Sequence, residues 1–389
     1  MQLNRLLVDT DAPPIPAAAA WRAGYDGRCG PLIDLAQAVP GSPPPAEFLE
    51  RLAAAARNGA NASYGPIVGD APLRDALAAD IAATYGAAIG PADIAITAGC
   101  NQAFYAAMVA LAGPGDAVIL PTPWYFNHKM TLDMLGITAV PLPCRAQAGF
   151  VPDAEEARAL VGPRTRAIVL VSPNNPTGAT YGADVLAAFA ALAQERDIAL
   201  VADETYRDFL PDGLGQPHAL LQADDWRDNV VQLYSFSKSY AIPGHRLGAV
   251  TAGGPVMEQL AKVLDCMTIC PPRVAQGPVA WAVDGVRTWR AEVRAAINAR
   301  GALFRSRVAA LPGWSVSAAG AYFAYVRHPF GGTAVEAAAR LATEAGVVTL
   351  PGSFFGPGQE DHLRFAVANV DHAGIEAVAG RLAALAATP

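Results

Sequence analysis

One segment of the sequence decides how its fold is interpreted: VVQLYSFSKSYAIPGHRLG, residues 230–248. An apolar run leads to Lys238, which stands between two serines, and Arg246 follows eight residues later. A lysine at the end of a buried strand can form a Schiff base with a carbonyl group, and an arginine beside small hydroxyls suits a phosphate dianion. The same pattern is also typical of a strand that ends in a solvated lysine, so the interpretation depends on the rest of the chain.

Around this segment, short β-rich runs alternate with stretches rich in alanine and leucine. We predict seven strands, at Asp93–Thr97, Ala117–Leu120, Ile137–Val140, Ala167–Val171, Ile198–Val201, Val230–Leu233 and Gly248–Thr251. We predict helices between or after them at Gln102–Leu111, Tyr125–Leu135, Ala183–Glu195 and Val256–Asp265. Continuous apolar strands separated by helices predict an α/β fold with a large, mostly parallel seven-stranded sheet covered by helices on both faces.

The flanking segments predict a second, smaller unit. Residues 1–45 are rich in proline and glycine, which favours an N-terminal arm, and residues 46–288 would form the large domain. A long helix at Arg287–Leu311 leads into a C-terminal part with strands near Gly320–Tyr325 and Leu363–Val367. We therefore predict a small α+β domain built from the arm and residues 289–389.

Composition and charge disfavour several classes of protein. With 52% hydrophobic and 16% charged residues, the chain of 389 residues can bury an extensive core and is not of the disordered class. A net charge of −7 without a basic cluster argues against a nucleic-acid or acidic-membrane partner. Five scattered cysteines and six histidines show neither disulfide nor metal-ligand spacing. We expect no metal and, since no apolar leader or membrane-spanning run is present, a cytoplasmic protein.

Polar segments follow four of the predicted strands at their carboxyl ends, where open α/β sheets bind ligands. They are TAGCNQ (97–102), SPNNPTG (172–178), ADETY (202–206) and SFSK (235–238). Each one alone is typical of an ordinary turn or helix start. Their order and location together predict one pocket. A ligand that needs both a Schiff-base lysine and a phosphate-binding arginine there is pyridoxal 5'-phosphate (PLP).

In this order the motifs resemble those of the fold-type I PLP-dependent aminotransferases of class I/II, the aspartate aminotransferase superfamily. The resemblance runs over nearly the whole chain. It also includes YGPIVGDAPLR (64–74), GAYF (320–323), GSFF (352–355) and Leu363-Arg364. The spacings between Asn175, Asp203 and Lys238 are close to those of the family. The resemblance implies a transaminase that uses PLP as its cofactor and acts on an amino acid and a 2-oxo acid.

The resemblance also implies roles for the residues that would hold the cofactor ring. Lys238 would bind PLP as a Schiff base and then move the proton at the substrate α-carbon. Asp203 would pair with the pyridine nitrogen and keep it protonated. Asn175 and Tyr206 would bind the phenolate oxygen. Tyr125 would stack on the ring, and the neighbouring Trp124 is the alternative for that role.

A second group of residues would bind the cofactor phosphate. It comprises Ser235, Ser237 and Arg246, and the backbone N–H groups of Gly99, Cys100 and Asn101, where a helix N-terminus supplies oriented donors. Tyr64 resembles the tyrosine that reaches the phosphate from the neighbouring subunit, which implies a homodimer with shared active sites. We expect Cys100 to be a helix-start contact and not a nucleophile, because no base is visibly paired with it.

Three residues are assigned to the substrate. Arg364 matches the family arginine that binds the α-carboxylate bidentately, with Asn175 beside it. Ala38 lies in LAQAVP (35–40), where the family usually carries a glycine, and this difference predicts a slightly different substrate fit.

We expect a neutral or aromatic amino donor. The segment before Gln276 is apolar apart from Arg273, and whether Arg273 lines the site is open. Aromatic residues are plentiful in the segments that the resemblance places around the pocket: Trp21, Tyr25, Trp124, Tyr322, Phe354 and Phe355. Burying an apolar side chain among them is favourable, whereas an unpaired distal carboxylate is penalised by desolvation.

Two other functions remain open. Because the motifs serve the cofactor more than the reaction, another PLP reaction such as that of a carbon–sulfur β-lyase is an alternative. Aminotransferase-like domains also serve as effector-binding parts of regulators. That function requires an N-terminal DNA-binding domain, for which the 45 proline-rich residues offer little room.

Overall fold

The computed structural model describes residues 1–386. They form thirteen β-strands: β1 (Ile33–Asp34), β2 (Ile94–Thr97), β3 (Ala117–Thr122), β4 (Thr138–Pro143), β5 (Thr165–Val171), β6 (Ala199–Asp203), β7 (Val230–Ser235), β8 (Gly248–Thr251), β9 (Ser315–Gly320), β10 (Phe323–Arg327), β11 (Val347–Val348), β12 (Leu350–Pro351) and β13 (His362–Ala366).

The same residues form fifteen α-helices: α1 (Arg5–Val8), α2 (Ile15–Ala23), α3 (Ala46–Arg57), α4 (Ala71–Tyr85), α5 (Cys100–Leu111), α6 (Phe126–Met134), α7 (Ala154–Leu160), α8 (Ala183–Glu195), α9 (Trp226–Asn229), α10 (Phe236–Ser239), α11 (Gly254–Thr268), α12 (Gln276–Gly285), α13 (Arg287–Ala309), α14 (Ala334–Ala345) and α15 (His372–Ala386). Within residues 1–386, no helix combines the length and the apolar character that crossing a bilayer requires.

The large sheet has seven strands in the order β2-β8-β7-β6-β5-β3-β4. β3 to β7 are parallel and β8 is antiparallel to both of its neighbours, so the predicted α/β fold with a mostly parallel sheet is confirmed. Successive residues point to opposite faces. Leu200 packs into one apolar layer and its neighbour Val201 into the other, so helices cover both faces.

Several strands extend further than predicted, among them β6 and β7. β6 ends at Asp203 and β7 ends at Ser235, and every residue of both strands is buried. Asp203 and Ser235 are therefore the last residues of buried strands and do not lie on loops. Their positions are fixed by the ladder hydrogen bonds of the sheet.

A separate four-stranded antiparallel sheet, in the order β12-β13-β10-β9, forms in the C-terminal part. The strand predicted near Gly320–Tyr325 is two strands in the structure, because a turn at Ala321 (φ 46°) divides β9 from β10. The aromatic run has a strand-like composition. However, Gly320 packs so closely against Gly178 that a Cβ on Gly320 would overlap the Gly178 carbonyl oxygen. The turn thus lies against the polar segment that follows β5.

The N-terminal arm contains more structure than its proline content indicated. Its strand β1 pairs in parallel with β11, so the arm is joined to the C-terminal part of the chain. α1 contacts α6, and α2 packs on α14. The domain boundaries at residues 45 and 288 stay a prediction.

Candidate active site

A cavity of about 530 Å³ opens at the carboxyl ends of β5, β6 and β7. Twelve of the residues singled out in the sequence line it: Ala38, Cys100, Asn101, Tyr125, Asn175, Asp203, Tyr206, Ser235, Ser237, Lys238, Arg246 and Arg364. They come from the ends of β2, β3, β5, β6 and β7, from the segment before β8, from the arm and from β13. The fold therefore brings together positions that are far apart in sequence. Gly99 adjoins the cavity at the start of α5, and Tyr64 does not line it.

Asp203 is held at the floor of the cavity by contacts to both carboxylate oxygens. Oδ1 accepts hydrogen bonds from the backbone N–H (3.0 Å) and the hydroxyl (2.7 Å) of Thr205. Oδ2 lies 3.2 Å from Nε2 of His128. Burial alone would raise the pKa of Asp203, but the contacts with His128 and Thr205 lower it below the ordinary value. The group is therefore a carboxylate that can pair with a cation in the cavity.

The sequence analysis missed His128 and Thr205. His128 lies on α6, stacked on Phe104 with the ring centroids 3.9 Å apart and edge-on to Tyr125. A single histidine on a helix shows no ligand spacing, so no sequence pattern indicated its role. Thr205 stands inside the Asp203–Tyr206 motif and could have been found as a hydroxyl two residues after a buried aspartate, which is a common local hydrogen-bonding pattern.

Lys238 contacts the N-terminal arm. Its Nζ donates a hydrogen bond of 2.6 Å to the backbone carbonyl of Ala38. Burial, followed by the positive charges of Arg364 and Arg246, lowers the pKa of Lys238 to about 8. A substantial fraction of this amine is then neutral near physiological pH, which is the form that attacks a carbonyl group.

Ser235, Ser237, Arg246 and the start of α5 form the cationic end of the cavity. Ser235 caps the short helix α10, where its hydroxyl accepts from the Ser237 N–H at 3.3 Å. Gly99 precedes α5 with φ 89°, and an added Cβ there would overlap the Arg246 guanidinium. Glycine at position 99 therefore lets an arginine and a helix N-terminus converge, and both favour a bound anion.

Cys100, the first residue of α5, lies beside this end and next to Asp203. Its Sγ is 3.8 Å from Asp203 Oδ1. Burial and the negative charge of Asp203 raise the pKa of the Cys100 thiol well above the usual range. The thiol is thus protonated at neutral pH, as expected of a helix-start contact.

Arg364 lines the cavity and is buried, only 2% exposed. Its Nη1 donates to Asn175 Oδ1 at 3.1 Å and its Nη2 donates to the Ala36 carbonyl. The guanidinium lies between the rings of Phe323 and Phe355, 5.0 Å from each centroid. Burial lowers the pKa of Arg364 to about 10, so it stays charged at neutral pH. Its buried Nε has no hydrogen-bond partner within residues 1–386, which leaves a donor for an anion.

Three aromatic residues line the cavity, Tyr125, Phe126 and Tyr206. Tyr125 lines it, its hydroxyl accepts from Asn127 Nδ2 at 2.8 Å, and burial raises its pKa to about 12. Tyr206 is buried and packs edge-on against Phe323. Trp124 does not line the cavity and packs beside Gly356. Of the two stacking candidates, the structure brings Tyr125 to the cavity.

Tyr64 lies on the surface, with 75% of its area exposed. The loop that carries it is tied to the segment before α12: the Gly65 N–H donates to Cys270 Sγ at 3.4 Å. Arg273 donates to the carbonyls of Ala60 and Ser63 and lies 3.4 Å from Asp70. Arg273 therefore fixes the Tyr64 loop and does not line the cavity of its own chain.

The expected aromatic lining was wrong. Trp21, Tyr25, Trp124, Tyr322, Phe354 and Phe355 all lie within the described residues, and none of them lines the cavity. Tyr25 folds back to donate to the Gly30 carbonyl, and Tyr322 donates to the backbone carbonyl of Lys238 from behind the site. The apolar lining comes instead from Pro13, Ile15, Ala38, Val39, Phe126, Val171 and Pro243. Four of these seven residues belong to the arm.

The donor set fits a phosphorylated pyridine aldehyde. A lysine with a lowered pKa, a buried carboxylate and a cationic helix start face one cavity, and a second arginine with a free donor lies across it. These groups match an aldehyde, a ring nitrogen, a phosphate and a substrate carboxylate.

Comparison with known proteins supports the same conclusion. Residues 31–382 match the family model described as aminotransferase class I and II. The chain is 33% identical to an aspartate/prephenate aminotransferase of Thermus thermophilus, over 75% of this chain and 76% of the relative. It is 32% identical to an arginine–pyruvate transaminase of Pseudomonas aeruginosa, over 78% of this chain and 77% of the relative.

A solved structure shows the same fold over the whole chain. A mutant of Thermus thermophilus aspartate aminotransferase superposes with a TM-score of 0.90 at 28% identity, covering 99% of this chain and 100% of the other. The family model, both relatives and this structure agree on the reaction class, although the relatives are named for different amino donors. The chain therefore belongs to the class I and II aminotransferases and is a PLP-dependent transaminase.

Proposed function

We propose that the protein moves an amino group from a neutral or aromatic L-amino acid to a 2-oxo acid, with Lys238 as the residue that binds PLP as a Schiff base. The observation that carries this proposal is the placement of Lys238, with its lowered pKa, in one cavity with Asp203 and Arg364. Together these residues supply an amine, an anion and a carboxylate-binding cation.

Each residue then has a defined task. PLP, when bound, supplies the electron sink for the transfer. Asp203 keeps the ring nitrogen protonated, and His128 and Thr205 orient its carboxylate. Lys238, once free, takes and returns the proton at the substrate α-carbon, which its pKa of about 8 suits near neutral pH.

The substrate and phosphate would occupy opposite ends of the cavity. Arg364, oriented by Asn175, would bind the substrate α-carboxylate through its Nε and Nη groups. Ser235, Ser237, Arg246 and the N-terminus of α5 would bind the cofactor phosphate. Tyr125 would stack on the ring, and Asn175 and Tyr206 would bind its phenolate oxygen.

The preference for an uncharged side chain rests on the charges that face the cavity. Within residues 1–386, the lysines and arginines that line it are Lys238, Arg246 and Arg364. All three already have tasks, so a distal carboxylate would find no cation of this chain. The arm offers Pro13, Ile15 and Val39 at the mouth. Burying an apolar side chain there contributes roughly 1.5–3 kcal/mol.

A homodimer with shared sites is part of the proposal. The exposure of Tyr64, on a loop held firmly by Arg273, supports a role for its hydroxyl in the cavity of a second subunit. Mixing inactive Lys238→Ala with Tyr64→Phe protein tests this, provided that the Tyr64 variant alone is severely impaired. Hybrids should regain up to one intact site per dimer, whereas no recovery despite demonstrated subunit exchange would contradict sharing.

We also propose a reducing compartment, the cytoplasm, for this protein. All five cysteines are free thiols among the described residues. Such thiols persist where glutathione and thioredoxin keep them reduced. Fractionation of the source cells tests the proposal, and recovery of the protein outside the cytoplasm would contradict it.

A stoichiometric assay tests the reaction itself. With one amino donor and one 2-oxo acid, transamination forms one new 2-oxo acid and one new amino acid for each donor consumed, and no free ammonia. A carbon–sulfur β-lyase instead releases ammonia, pyruvate and a thiol from a cysteine-type substrate without an acceptor. Ammonia release that equals donor consumption would overturn the proposed reaction.

A further inference from the structure

A second cavity, of about 420 Å³, lies between the loop after β6 and the N-terminal half of α13. Four arginines line it, Arg207, Arg287, Arg290 and Arg294, and one carboxylate, Asp208. None of these five residues lines the active-site cavity. Three of the arginines are three and four residues apart on α13, so they lie on one face of that helix.

The two buried arginines have unused hydrogen-bond donors. Arg207 pairs with Asp80 and Arg290 pairs with Asp208, each at 2.5 Å. Nevertheless, Arg207 Nη1 and Arg290 Nε are buried without a hydrogen-bond partner in residues 1–386. A guanidinium carries five donors, and leaving buried ones unsatisfied costs free energy. An anion in the cavity would offer acceptors on this side of the protein.

The two outer arginines each form an exposed ion pair. Arg287 lies 3.2 Å from Asp284, and Arg294 lies 3.5 Å from Asp212. The side chains of Asp284 and Asp212 are 89% and 64% exposed, and neither lines the cavity. Exposed pairs contribute only about 0–1 kcal/mol. Both arginines can therefore exchange their surface carboxylate for a bound anion at little cost.

We propose that this cavity binds a small oxyanion with at least two negative charges, held by Arg287, Arg290 and Arg294. Planar guanidinium groups bind carboxylates and phosphates through paired hydrogen bonds, and three on one helix face favour a multivalent ligand. Of the charged groups that line the cavity, Asp208 alone is negative, and Arg290 already neutralises it. Phosphate and dicarboxylate share this chemistry.

The test is a titration of the PLP-saturated enzyme with inorganic phosphate and, separately, with succinate. The melting temperature is measured at each anion concentration and compared with that in sodium chloride at equal ionic strength. An anion that binds the native state raises the melting temperature in a saturable manner. We expect saturation with at least one of the two anions, and the one that binds more tightly identifies phosphate or dicarboxylate as the ligand type.

Two variants locate the binding. Arg287→Gln/Arg294→Gln removes two exposed cations without disturbing a buried pair, and we expect it to weaken anion affinity at least about tenfold. Arg307→Gln is the matched control: it lies on the same helix, pairs with Glu376 on the surface and does not line the cavity. We expect its affinity to be unchanged. The proposal is overturned if neither anion shows saturable binding. It is also overturned if the double variant binds the anion as tightly as the wild-type protein, which is the result that binding at Arg364 would give.

Discussion

His128 Nε2 lies 3.2 Å from Asp203 Oδ2, and both side chains are buried. Because Thr205 binds the other carboxylate oxygen, the group is held from two sides while it faces the cavity. The contacts keep the pKa of Asp203 low despite burial, which otherwise raises it. Keeping Asp203 charged, so that it could pair with the ring nitrogen of the cofactor, thus depends on helix α6 as well as on strand β6.

Asp203→Asn should leave PLP bound but lower kcat by about 10²–10⁴-fold, because the amide keeps the shape and loses the charge that protonates the ring nitrogen. Steady-state kinetics with the PLP content measured by absorbance checks this. Asp133→Asn, which removes a carboxylate that pairs with Lys129 on α6 outside the cavity, should leave turnover unchanged. A normal kcat in Asp203→Asn would show that the carboxylate only orders the Thr205 turn.

His128→Phe should lower kcat about tenfold, because it keeps a ring against Phe104 and removes the nitrogen that faces Asp203. The effect should vanish in the Asp203→Asn background, since His128 acts through that carboxylate. Phe104→Leu removes the stacking partner and keeps the nitrogen. It should therefore lower the stability of the fold and change kcat little. Losses that multiply in the double variant would show that His128 acts independently of Asp203.

The rate at which the apoprotein captures PLP should rise with pH and level off above a midpoint near 8. Only the neutral amine attacks the aldehyde, and burial with Arg364 and Arg246 lowers the pKa of Lys238 from 10.5 to about 8. Stopped-flow absorbance across the pH range measures the midpoint.

Two variants test the cause of this pKa. Arg364→Gln removes a positive charge, so the Lys238 pKa and the midpoint should rise, whereas Arg364→Lys keeps the charge and should leave the midpoint near that of the wild-type protein. A wild-type midpoint near 10.5 would contradict the lowered pKa.

Donor preference should favour uncharged side chains. We expect kcat/KM for phenylalanine, methionine or leucine to exceed that for aspartate and glutamate at least about tenfold, because an apolar group is buried at the mouth and a distal carboxylate has no cation there. The measurement uses one 2-oxo acid throughout. If kcat/KM for aspartate or glutamate is higher by that margin, the proposed preference for uncharged donors is wrong. Arg273, reaching in from a second subunit, then becomes the first residue to mutate.

Much of the fold and of the cavity could be predicted because buried parallel strands have a strong signal. Val230–Leu233 and Ala167–Val171 are continuous apolar runs, and in such sheets the residues after a strand meet at one edge. Asp203, Asn175 and Lys238 were placed together for this reason. The ordered family motifs added Arg364, whose approach from β13 no local pattern would have shown.

The parts that could not be predicted depend on tertiary contacts without a local pattern. His128 meets Asp203 only because α6 packs across the end of β6. Ile15 reaches the cavity from the proline- and glycine-rich N-terminal arm, where no motif indicated a site residue. The turn at Ala321 interrupts an aromatic run whose β propensity was overridden by the close approach of Gly320 to Gly178.

Borohydride reduction of the holoenzyme followed by peptide mapping identifies the residue that binds PLP. We expect the pyridoxyl group on Lys238, and we expect Lys238→Ala to lack the label and to lose turnover by several orders of magnitude. Lys129, paired with Asp133, and Lys262, which donates to Gln259, should stay unmodified. A pyridoxyl group on either of them, with Lys238 free, would show that Lys238 is not the residue that forms the Schiff base.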